Sequence, residues 1–163
     1  MRILLAASLS LMAAAPMAAQ APATVAPKAQ PKAEAGPFDP TRDAAKDLEG
    51  AKAVAKQSGR RILLDVGGNW CSWCRLMDKW FTEHAAVRET RDKAFVVVPV
   101  NFSSENKNEA FLGQYPKIDG YPHFFVLDAD GKLLRDQSTG DLEEAHGYSE
   151  AKMTAFIAAW SGK

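Results

Sequence analysis

The chain has 163 residues, 47% hydrophobic and 25% charged, a balance that excludes a fibre or a wholly disordered polymer and fits one packed core. Its 20 basic and 20 acidic side chains cancel, so there is no excess positive field of the kind that captures nucleic acid or anionic lipid. Electrostatics names no partner.

Met1-Arg2-Ile3-Leu4-Leu5 opens one positive charge followed by an apolar run and then small residues, the pattern of a secretory signal peptide over residues 1–20. The run is too short for a membrane span, so no membrane insertion is expected after cleavage. Residues 21–40 are rich in Ala, Pro and Lys, with Pro22, Pro27, Pro31, Pro37 and Pro40. Such a stretch buries too little apolar surface to order itself and reads as a flexible linker. The folded domain is expected over residues 41–163.

Within it, Ala44, Leu48, Ala51 and Ala55 recur at helical spacing behind a Thr41 N-cap and end near Gly59. Residues 61–66, Arg-Ile-Leu-Leu-Asp-Val, form an apolar run closed by Gly67-Gly68, a buried strand. Trp73, Leu76, Met77, Trp80 and Phe81 predict a helix that starts beside Cys71. Phe95 to Asn101 reads as a strand and Glu105 to Tyr115 as a helix. His123 to Leu127, the turn Asp128–Gly131 and Lys132 to Leu134 predict a hairpin. Ser149 then caps a last helix with Met153, Phe156, Ile157 and Trp160 on one face. The order is α, β, α, β, α, β, β, α.

The two cysteines of the chain, Cys71 and Cys74, form one tight pair in a protein with an export signal. A structural disulfide stabilises mainly by closing a long loop, and this pair closes almost nothing. Zinc needs four ligands, and the spacing of His84, His123 and His146 matches no metal motif, so no metal or other cofactor is expected. Reactivity remains. Three residues along a helix place Cys74 roughly 60° round and about 4.5 Å up the axis from Cys71, close enough for the sulfurs to join or part. Cys71, in the first turn, faces unpaired N–H groups and the positive end of the helix dipole, which favour its thiolate. It is the expected attacking sulfur, with Cys74 resolving the mixed disulfide. Arg75 is expected to be a solvated residue on the helix face.

Strand, glycine turn and Cys-x-x-Cys at a helix start resemble the thioredoxin superfamily over nearly all of residues 41–163. The resemblance implies an α/β thioredoxin-like fold: a central mixed sheet with a C-terminal β-hairpin, flanked by helices. It also implies that Asp65 is a buried proton acceptor for Cys74, and that Tyr121-Pro122 is a cis-proline loop docking an extended substrate. Trp70 fits the pattern as an aromatic wall beside the sulfur, and Trp73 as a second aromatic substrate contact. Ser72-Trp73 replaces the Gly-Pro of cytosolic thioredoxins. The Lys found near the buried Asp in those proteins is missing at Val98 and Pro99, and His123 follows the proline where Thr is common.

The segment from Trp70 to Phe81 is similar to the thioredoxin-like domains that end bacterial transmembrane disulfide reductases. That similarity implies a periplasmic enzyme reducing or isomerising protein disulfides, with protein thiols and a membrane-bound electron donor as partners. An oxidase, or a non-catalytic binding module using the same rim, remains an alternative. Asp141–Tyr148 exceeds a minimal thioredoxin and is expected to be a solvated loop or a partner surface.

Overall fold

A computed structural model describes residues 36–162, so the expected signal peptide over residues 1–20 and residues 21–35 of the expected linker lie outside the described residues. The first helix, α1 (Ala44–Ser58), is capped by Asp43, whose carboxylate accepts from the N–H groups of Ala45 and Lys46 at 3.0 and 3.1 Å. Thr41 is not the cap: its hydroxyl donates to Asp39 instead. An aspartate serves this position well because it satisfies orphan N–H groups and carries the charge the helix start favours. The helix ends at Gly59, φ +70°, a left-handed conformation that glycine adopts at least cost. Its buried face is Ala44, Leu48, Ala51 and Ala55, as the periodicity predicts.

Strand β1 (Arg61–Gly67) is central, parallel to β2 (Phe95–Asn101) and antiparallel to β3 (His123–Leu127). β4 (Leu133–Ser138) completes the β3 hairpin, giving the mixed order β2-β1-β3-β4. Strand alternation sends Ile62, Leu64, Val66, Phe125 and Leu127 to the face covered by α1. Leu63, Phe124 and Val126 go to the opposite face, under α2 (Ser72–Glu83), α3 (Ala85–Ala94) and α5 (Glu150–Trp160). The result is a thioredoxin-like fold. Among the described residues no helix is long and apolar enough to cross a membrane.

Several expectations are corrected. α3 has no counterpart in the predicted order, because Val87 is its one buried residue and its remaining positions are largely charged, leaving no apolar stripe to read. It begins where His84 stacks on the Trp80 ring at 4.1 Å and hydrogen-bonds the Trp80 carbonyl, which closes α2. The predicted helix over residues 105–115 shrinks to α4 (Glu109–Leu112). Asn side chains are responsible. Asn101 Nδ2 donates to the Asn106 carbonyl, Asn108 Nδ2 to the Asn101 carbonyl, and Asn108 sits at φ +49°. Such side-chain bonds offer the backbone an alternative to the helix. At α5, Ser149 occupies the cap position without its hydroxyl making a cap bond.

The stretch before α5 is not a solvated loop. A 3₁₀ turn (Thr139–Leu142) and the short pair β5 (Glu143–Glu144) and β6 (Gly147–Tyr148) carry Leu142 and Tyr148 into the core beneath α2. At the other end, Phe38, placed by its sequence context in the linker, is only 2% exposed and packs with Cys71 and Cys74. Burying a phenylalanine contributes roughly 2–3 kcal/mol toward holding this short proline-rich segment on the domain.

Candidate active site

β1 delivers the site. Alternation puts Asp65 and Gly67 on the face covered by α2, and the chain then turns through Gly68, Asn69 and Trp70 into Cys71 at the N-cap of that helix. Cys71 and Cys74 are joined as a disulfide, with their Cα atoms 5.2 Å apart. The Cys74 N–H donates to Cys71 Sγ at 3.2 Å, so the backbone of the first turn already points a donor at this sulfur. Cys71 is 6% exposed and Cys74 2%. The close turn depends on Gly67. A β-carbon there would lie 2.7 Å from Cys74 Sγ and 2.9 Å from Phe38 Cζ, so only glycine lets strand, sulfur and ring meet.

Across the pair lies the Tyr121–Pro122 peptide, which is cis. Cys71 Sγ is 3.5 Å from the Tyr121 carbonyl oxygen. Pro122 is buried and its carbonyl accepts from the Thr139 hydroxyl at 2.5 Å, which ties the proline loop to the 3₁₀ turn. Trp70 is 56% exposed; its ring meets Tyr121 edge-on at 5.9 Å, and its Nε1 donates to the Phe102 carbonyl at 2.6 Å. Phe102 in turn stacks on Tyr121 at 4.9 Å. Trp73 belongs to a different aromatic group: half-buried, it meets Tyr148 edge-on at 5.9 Å, and its carbonyl receives the Tyr148 hydroxyl at 3.4 Å.

Asp65 sits between Pro99 on β2 and Phe124 on β3. The residue keeps some accessible surface, but its Oδ1 is sealed and has no hydrogen-bond partner. Burial pushes its carboxyl up to about 7; the Arg91 guanidinium on α3 opposes the shift and Asp78 on α2 adds to it. Arg91 also lies 4.2 Å over the Phe81 ring. A carboxyl held near neutrality can both take and return a proton at physiological pH. His123 is buried on the other sheet face, where its Nε2 meets Asp136 Oδ1 at 2.5 Å and its ring tilts against Phe125. Arg75 reaches back to the Asn69 carbonyl at 2.7 Å, so it braces the turn as well as meeting solvent.

The structure brings Asp65, Trp70, Cys71, Cys74, Tyr121 and Pro122 to one end of the sheet, with Trp73 packed both against the cysteines and against the core. Sequence reasoning missed Phe38, Asn69, Phe102, Arg91, Thr139 and Tyr148. A lone large aromatic in an Ala/Pro/Lys run was a usable signal for Phe38; the others have none, because their roles depend on contacts between distant segments. Among the described residues no group of three or more His, Cys, Asp or Glu side chains is placed to hold a metal ion.

A vicinal cysteine pair at a helix N-terminus, facing a cis-proline loop on a thioredoxin-like sheet, defines a thiol–disulfide oxidoreductase. The chain belongs to the thioredoxin-like family, whose profile matches residues 43–129. It is similar to a solved disulphide isomerase from Xylella fastidiosa, at 30% identity and a TM-score of 0.64, covering 78% of this chain and 98% of that one. Disulfide bond reductase DsbH of Chlamydia pneumoniae is 29% identical over 89 residues, 49% of this chain and 53% of the relative. Thiol:disulfide interchange protein DsbD of Pseudomonas fluorescens is 26% identical over 117 residues, 71% of this chain and 18% of the relative. The chain thus spans about half of the first of these two curated relatives and under a fifth of the second.

Proposed function

We propose that this protein reduces or isomerises disulfides of protein substrates in the periplasm through Cys71 and Cys74, and that a membrane-bound donor returns its electrons. The observation that carries the reading is the Cys71–Cys74 disulfide at the start of α2, with the Cys74 N–H donating to Cys71 Sγ beside the Tyr121–Pro122 loop. The names of the relatives, a reductase, an isomerase and an interchange protein, support the direction.

The reduced protein acts in two displacements. The Cys71 thiolate, favoured by the helix N–H groups, attacks one sulfur of a substrate disulfide, and the substrate's other sulfur leaves as a thiolate. Asp65 takes the proton of the Cys74 thiol. The Cys74 thiolate then attacks Cys71 Sγ, the mixed disulfide breaks, and the second substrate thiolate departs. Two electrons have moved from the Cys71–Cys74 dithiol to the substrate. Trp70 and Tyr121 wall the groove in which an extended substrate segment lies against Pro122, and Trp73 supports the helix start from its inner side.

Equilibration of the protein against glutathione buffers tests the direction. Thioredoxin-type potentials run from roughly −270 to −120 mV, and a reductase belongs in the lower half of that range. A value at the oxidising end would make the protein an oxidase. In the parent cell, Cys74→Ala is expected to accumulate mixed disulfides through Cys71, because the resolving thiol is gone. They would be read as thiol-sensitive high-mass bands on non-reducing gels. A variant that traps nothing would favour a binding module instead.

A further inference from the structure

We propose that Phe38 is a positioning residue that decides which sulfur is attacked, by covering Cys74 so that exchange enters and leaves through Cys71. The inference deepens the exchange reading and rests on it. Three observations place the cover. Phe38 is 2% exposed and packs with both cysteines. A β-carbon on Gly67 would meet both Phe38 Cζ and Cys74 Sγ, so the ring and that sulfur lie on the same side of Gly67. The segment is clamped at Phe38 itself: Asn69 Oδ1 accepts from the Phe38 N–H at 3.3 Å, and Asn69 Nδ2 donates to the Phe38 carbonyl at 2.8 Å. Farther along, Asn106 Nδ2 donates to the carbonyls of Pro40 and Arg42.

Which sulfur of a disulfide is attacked depends on access as well as on the leaving thiol. When the donor reduces the oxidised protein, its thiolate bonds to Cys71 Sγ, the Cys71–Cys74 bond breaks, and Cys74 leaves as a thiolate that takes up a proton. Attack on Cys74 would instead bond the donor to the less exposed sulfur and expel Cys71 as the thiolate. A phenyl ring packed at Cys74 blocks that route, whereas Cys71, 6% exposed against 2% for Cys74, keeps the larger share of the pair's accessible surface. Asn69, one residue before the exposed Trp70, couples the clamp to the turn that presents Cys71.

The test is competitive alkylation of the reduced full-length protein with limiting iodoacetamide, with each cysteine followed by peptide mass spectrometry. In the parent protein Cys71 should label about tenfold faster than Cys74. Phe38→Ala should raise Cys74 labelling about fivefold and leave Cys71 within about twofold, and Phe38→Leu should restore most of the protection. Asn69→Ala keeps the ring but removes its clamp, and should raise Cys74 labelling about twofold. Should Phe38→Ala fail to fold by circular dichroism, the Asn69→Ala result decides. Cys74 labelling that stays at the parent value in the folded variants overturns the role of Phe38 and leaves the exchange reading standing. Equal labelling of both cysteines in the parent protein overturns the Cys71-first reading and this inference together.

Discussion

Cys71→Ser is expected to lower disulfide exchange by on the order of a thousandfold, to the uncatalysed background, with no loss of fold. The hydroxyl fits the space of the thiol and can still receive the Cys74 N–H, so the cap of α2 survives. What disappears is the nucleophile. A serine hydroxyl is not ionised near neutrality, and Cys74, 2% exposed beneath Phe38 and against Gly67, does not stand in for it. The loop closed by the disulfide is so short that its loss costs only about 2 kcal/mol on the chain-entropy account. The variant should therefore melt close to the reduced parent protein and somewhat below the oxidised one. Insulin reduction with dithiothreitol as electron source reads the activity, and circular dichroism reads the fold. Retained activity would move the chemistry away from this pair and favour a binding role for the aromatic rim.

How far the site was legible follows from the physics of each part. The buried face of α1 and the apolar run of β1 were readable, because a 3.6-residue stripe and a short hydrophobic block each require a core on one side. Cys-x-x-Cys after a strand and a glycine turn announced itself for the same local reason. The illegible parts depend on distant partners. Nothing in Thr139 or Tyr148 says that one will hold the Pro122 carbonyl and the other the Trp73 carbonyl, since both contacts come from how residues 139–148 fold back under α2. α3 hid behind its charges, yet it supplies Arg91, the cation nearest in effect to Asp65 where cytosolic thioredoxins use a lysine on the strand. Asparagine side chains shortened α4 by bonding to backbone groups that a periodicity reading treats as helical.

Asp65→Asn should make the protein more stable at pH 8 and slower in exchange, two effects of opposite sign from one carboxylate. Its carboxyl rises from 3.8 in the unfolded chain to about 7 in the folded one, chiefly because burial penalises the charged form. Below pH 3.8 both states carry the proton and the group contributes nothing to stability. Between 3.8 and 7 the unfolded chain ionises first while the folded one holds its proton, so stability falls as pH rises; above 7 the penalty is complete, on the order of 4 kcal/mol as an upper bound. Asparagine keeps the shape and removes the titration. Chemical denaturation of the oxidised protein should show the parent losing stability from pH 4 to 7 and the variant nearly flat across that window; a parent curve parallel to the variant's would refute a raised carboxyl. Exchange moves the other way. On the proposed role of Asp65 as the base for Cys74, mixed disulfides should clear about tenfold to a hundredfold more slowly at pH 7, with the deficit shrinking as rising pH ionises the thiol unaided. In that proposed role, the orphaned Oδ1 of Asp65 would thus be a cost to the fold that serves the resolving step.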